Sequence, residues 1–247
     1  MRKETKGKSN AMEKYFDYII GVMRENEEFL RKNAKGTCDE VVELINDAID
    51  YVMLGIKRKE SRKDYVNRSM AFFLNHVLMP FSYAIYADAL IGNIPSSFIE
   101  LRLMLESLVK CYLADIKYPD QTFFQERLEL LEKLLDEERL STSKLMKELE
   151  RELESENNFV ALWGKLSRDW IHTKGIMNRV VSQVVEKSDV PPWALPLPMN
   201  YTENELDTID ELRKRISQFR NLLTVTMEKY QQELGFYDLG PPSSDSV

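Results

Sequence analysis

Between Ile94 and Lys117 the chain reads IPSSFIELRLMLESLVKCYLADIK, a helical pattern that is apolar on nearly every face. A helix of that kind requires neighbours on most of its sides. Phe98, Leu101, Leu105, Leu108 and Tyr112 follow at three- and four-residue steps, and Ile99, Leu103, Met104, Val109, Cys111, Leu113 and Ile116 carry the apolar surface further round. Several packed helices supply such cover, so the expected fold is all-α, a multi-helix up-and-down bundle. Ser97 and Glu100 have the spacing of a capping box, which places the helix start near Phe98. One narrow stripe interrupts the apolar surface: Arg102, Glu106 and Lys110, at successive four-residue steps. It reads either as a solvated edge laced by ion pairs or as a polar track that lines a groove and takes a small ligand.

Composition agrees with helices. Nine Gly and nine Pro are few for 247 residues, and 43% hydrophobic content is ample for a core. The formal charge of -7 opposes a general affinity for nucleic acid. Cys38 and Cys111 lie far apart with no metal-ligand spacing, which fits reduced thiols and a cytoplasmic setting. The leading residues MRKETKGKSNAM carry no apolar secretory segment, and Ser9, Asn10 and Ala11 ahead of Met12 resemble a cloning scar. The expected organisation is a disordered or tag-like leader over 1–11, one helical domain over 12–235, and a disordered tail over 236–247.

Taken in order, a helix from about Met12 ends at Gly36, and a Thr37–Glu40 capping box opens a second that runs to about Arg58. Lys57, Arg58, Lys59, Arg62 and Lys63 then crowd together, as a solvated helix end or as a phosphate-contacting patch. The third helix, 62–91, has no charged residue between Arg68 and Asp88. Asn75, His76, Pro80 and Ser82 mark it as a buried core helix rather than a membrane span. Pro80 should kink it, and His76 reads as a hydrogen-bonded core residue. Thr122 and Gln125 form another capping box, ahead of a narrow seam through Phe124, Leu128, Leu131, Leu135, Leu145, Leu149 and Leu153. That seam is one long helix or two with a break at Ser141 to Ser143, and it offers a surface to a partner helix or a second copy of the chain. Residues 188–200, SDVPPWALPLPMN, form an apolar strap across the bundle, and a Thr202–Glu205 box opens the last helix, to about Leu234.

Chemistry concentrates in residues 157–175, where Arg168 and His172 stand four apart near a helix C-terminus. A fixed cation beside an imidazole favoured in its charged form can polarise a phosphodiester and move its protons. There is no glycine-rich phosphate loop, no Gly-x-Ser-x-Gly elbow and no Glu-x-x-His pair, and the chain has two His, so no cofactor or metal is expected. The phrase Trp163-x-x-Leu166-Ser167-x-x-x-x-His172, with Arg168 inside it and Arg102-x-x-x-Glu106 on an earlier helix, resembles the HEPN proteins. The resemblance implies a helical bundle that often dimerises. It also implies, for the members that are metal-independent RNases, a general acid/base role at His172 and a phosphate-steadying role at Arg168. This chain departs from those RNases in having three residues between Arg and His, and in placing Asp169 directly after Arg168. The expectation is therefore a HEPN-like interaction or regulatory protein acting through a protein partner or a homodimer. The alternative is a HEPN-type endoribonuclease acting on RNA through Arg168 and His172.

Overall fold

The computed structural model describes residues 4–57, 66–154, 158–171 and 198–234. Among them it has eight helices and no strand: α1 (Glu4–Asn33), α2 (Lys35–Lys57), α3 (Ser69–Ile91), α4 (Ile94–Lys117), α5 (Phe124–Glu137), α6 (Thr142–Glu152), α7 (Asn158–Leu166, prolonged by a π turn over Ser167–Ile171) and α8 (Leu206–Leu234). The all-α bundle expected from the sequence is the observed fold.

Helix α4 lies at its centre, in contact with α3, α5, α6, α7 and α8. Leu101, Met104, Leu105, Leu108 and Val109 are wholly buried. Its start is one turn earlier than the Ser97–Glu100 spacing implies. Pro95 fits the first helical turn, where an amide has no intrahelical partner, and the helix begins at Ile94. Ser97 thereby falls inside the helix, its hydroxyl is buried without a partner, and no capping box forms there. Of the four boxes read from sequence only Thr202–Glu205 is made, with Thr202 N donating to Glu205 Oε2 at 2.7 Å. The Thr37–Glu40 box loses to tertiary contacts, since Thr37 donates to the Ile209 carbonyl and Glu40 pairs with Arg220; α5 starts at Phe124 with no side-chain cap.

Pro80 is accommodated by widening the helix ahead of it. Over Leu74–Leu78 the backbone takes a π turn, closed by Met79 N donating to the Leu74 carbonyl. Asn75 Nδ2 and Ser82 Oγ cover carbonyls at Ala71 and Leu78, both at 2.8 Å. His76 is exposed, not a core residue; its ring lies 5.4 Å from Phe72, which stacks on Phe124. Among the described residues α3 is one helix long and apolar enough to cross a membrane, and 39% of its most apolar window is buried against the bundle.

The seam after α4 is two helices. The chain breaks at Glu138–Ser141, with Arg139 in the left-handed region at φ 51°. The backbone of α1 begins at Glu4, ahead of Met12. The basic residues Arg58, Lys59, Arg62 and Lys63, most of the strap and the tail lie outside the described residues.

Two polar knots fix these helices. Asp115, fully buried on α4, accepts from Ser69 N at 2.9 Å, Met70 N at 3.0 Å, Arg127 Nη1 at 3.0 Å and Tyr230 Oη at 2.7 Å. It thus caps α3 from a distant helix and fills its lone pairs with donors from α5 and α8. Arg127, 3% exposed, spends its other donors on the carbonyls of Asn67, Tyr118 and Gln121. A buried pair so fully hydrogen-bonded is tolerated, and deleting one partner typically costs about 3–5 kcal/mol.

The second knot is Asn26 of α1, 1% exposed, which donates to the carbonyls of Leu90 and Met199 and accepts from Tyr201 N. Met199 N in turn donates to Ile91 at 3.0 Å, across the left-handed Gly92 that ends α3. The segment entering α8 is pinned by these bonds to the α3–α4 turn.

Candidate functional site

Helix α7 presents the residues with the clearest chemical reading. Its first turn is held by Glu150 Oε1, which accepts from Val160 N at 3.0 Å. Phe159, Leu162, Leu166 and Trp170 face the core, and the Trp170 ring stacks on Phe98 with centroids 3.8 Å apart. Where the helix widens into its π turn, Arg168 points outward with 73% of its side chain exposed. Its Nε donates to Asp169 Oδ1 at 2.9 Å, and that bond raises the guanidinium pKa. The cation is already paired with its chain neighbour. His172 lies outside the described residues, as do all of the basic patch but Lys57, which closes α2.

The stripe on α4 divides. Arg102 Nε and Glu106 Oε1 bond at 2.9 Å, and Trp163 Nε1 of α7 donates to the same oxygen at 2.7 Å. The Arg102 guanidinium stands 5.6 Å from the Trp163 ring centroid, a cation–π arrangement. Lys110 turns instead to Glu132 of α5 at 2.6 Å. The three residues therefore join α4 to α7 and α5, each with between a fifth and a third of its side chain exposed. Trp163 is the member that sequence reasoning placed in the right helix without linking it to the stripe.

A pair that the sequence reading did not single out lies at the α3–α4 turn. Glu100 Oε2 is buried and has no hydrogen-bond partner. Burial, with a smaller contribution from Asp88, pushes this carboxyl up to about 7. Burial raises Asp88 as well, against the lowering effect of Asn93, whose Nδ2 donates to it at 3.2 Å. The available signal was positional. Asp88 and Glu100 stand on either side of Gly92–Asn93, so folding the hairpin brings them near enough for the Asp88 charge to act on Glu100.

Between α1, α2 and α3 there is a cavity of about 220 Å³, floored by Leu30, Val41, Ala89 and Leu90, with Cys38 and Tyr86 in its wall. Burial raises the Cys38 thiol, which keeps it protonated and weakly nucleophilic. Arg31 at the rim is paired with Glu27 at 2.7 Å. None of the stripe residues lines this cavity. Among the described residues no three His, Cys, Asp or Glu side chains are grouped to hold a metal ion.

Large apolar side chains are uncovered on the first half of α1. Met12 is 77% exposed, Phe16 63%, Tyr15 56% and Tyr18 49%. Among the described side chains of α1, from Met12 on, the first buried one is Val22. Comparison with family models, with curated proteins and with solved structures finds no match to this chain.

Proposed function

We propose that this chain is a helical interaction module without a catalytic centre of its own, its bundle serving as a rigid mount for the exposed half of α1. The observation that carries this reading is the uncovered Met12–Tyr18 segment, apolar surface of a kind that marks association sites when it is contiguous. The polar groups point the same way. Arg168 is bonded to Asp169, Arg102 and Glu106 to each other and to Trp163, Lys110 to Glu132, and Asp115 to Arg127 and Tyr230. Apart from Arg168–Asp169, which lie side by side in one turn, these groups hold helices together, and all are engaged within the chain. Two free cysteines accord with a reducing, cytoplasmic setting.

The second reading is a metal-independent endoribonuclease of HEPN type that uses Arg168 and His172. It is favoured by the exposure of Arg168 on a π turn, a geometry frequent at functional sites. Purified protein incubated with structured and unstructured RNA in chelator, beside His172→Ala and Arg168→Ala, separates the two. The expected result is no cleavage that either substitution removes. Cleavage lost in both variants, with helical content intact, overturns the interaction-only reading.

A further inference from the structure

Along α1 a single face changes its surroundings. Val22, Asn26 and Leu30, at 4%, 1% and 4% exposure, pack into the bundle. Stepping back by threes and fours, the same face continues as half-buried Ile19 at the edge of the bundle and then as exposed Phe16, Tyr15 and Met12, which the bundle no longer covers. No charged residue interrupts these four positions. The helix thus carries a core-type face past the end of its own core.

The stripe is self-complementary. In an antiparallel pair of α1 helices with the two-fold axis between Tyr15 and Phe16, each Met12 meets an Ile19 and each Tyr15 meets a Phe16. An isologous interface requires such matching. Size points to a weak, concentration-dependent pair. At roughly 200 Å² per large side chain, the exposed fractions of Met12, Tyr15 and Phe16 amount to roughly 400 Å². Two copies would bury about 800 Å², in the range of transient rather than obligate interfaces. The nearby charges, Glu13, Lys14 and Asp17, are one positive and two negative, which gives anionic lipid no electrostatic attraction and favours a protein partner.

We propose that the exposed half of α1 pairs antiparallel with α1 of a second copy through Met12, Tyr15, Phe16 and Ile19, making the protein a two-fold homodimer. This rests on the reading of the chain as an interaction module and names its partner. The test is sedimentation of the full chain over about 1–100 µM. The mass is expected to rise from monomer to dimer across that range, and Phe16→Asp should hold it at monomer with an unchanged melting temperature, because Phe16 is outside the core. Met12→Glu and Ile19→Lys should each weaken the dimer, and the two together restore it, since the register sets them opposite one another. A chain that is monomeric throughout, or a dimer indifferent to Phe16→Asp, overturns the proposal. So does a Phe16→Asp monomer with a lowered melting temperature, which would place the stripe under another part of its own chain. RNA cleavage that depends on His172 in an intact dimer would instead overturn the non-catalytic reading alone.

Discussion

Glu100 lies within α4 with one carboxylate oxygen buried and unpartnered, and its pKa of about 7 against the ordinary 4.5 has a thermodynamic consequence. Between those two values the folded chain holds a proton that the unfolded chain has released. Stability contributed by this group is therefore present below pH 4.5 and lost as pH rises toward 7. Asp88 shifts in the same direction and adds to the slope. Glu100→Gln, which is neutral at every pH, should flatten the decline, so its urea midpoint exceeds that of the parent at pH 8 and matches it at low pH. Equal midpoints at both ends would mean that the carboxyl is better solvated than its burial indicates. Other residue-scale features were out of reach of sequence reasoning for a physical reason. The stripe's Glu106 is bonded by Trp163, 57 residues further along, and such partners leave no local spacing to read. His76 was misjudged because the run from Ser69 to Ala87 has no charge to mark its outward side.

At the level of elements, helices were legible wherever an apolar face repeats over several turns, as in α4 and α8, because burial of that face drives their formation. Their ends were much less so. A capping box is a four-residue pattern worth about 1 kcal/mol, and a tertiary hydrogen bond or a well-placed proline displaces it readily. Thr37, drawn to the Ile209 carbonyl, and Ser97, enclosed by the earlier start at Pro95, are both cases. The turn between α3 and α4 follows a stricter rule. Gly92 has φ 79°, and a Cβ placed there would stand 2.1 Å from the Met199 carbonyl oxygen. Gly92→Ala should therefore cost about 2 kcal/mol or more, combining left-handed strain with displacement of the 199–201 segment. Urea unfolding at neutral pH measures it, and a cost below about 0.5 kcal/mol would show that the segment yields freely.

The molecule as a whole is built round α4, which five other helices touch, and its apolar composition on nearly every face made that centrality readable in advance. The pairing of charges between helices was not readable, since 41 acidic and 34 basic residues allow many combinations and only the packed fold selects among them. Asp115 shows what this selection entails. Its donors come from residues 69, 70, 127 and 230, and the Tyr230 hydroxyl belongs to a position 115 residues later in the chain. On the ribosome, then, every other helix is synthesised before the last one arrives to close the centre. Chains stalled short of residue 230 should be cut readily by protease within α3 and α5, and chains in which Tyr230 has cleared the exit tunnel should resist; resistance at the shorter length would show that α8 is dispensable for closure. The last helix of this bundle acts as a completion signal, committing the nascent bundle to its fold only after residue 230 has been translated.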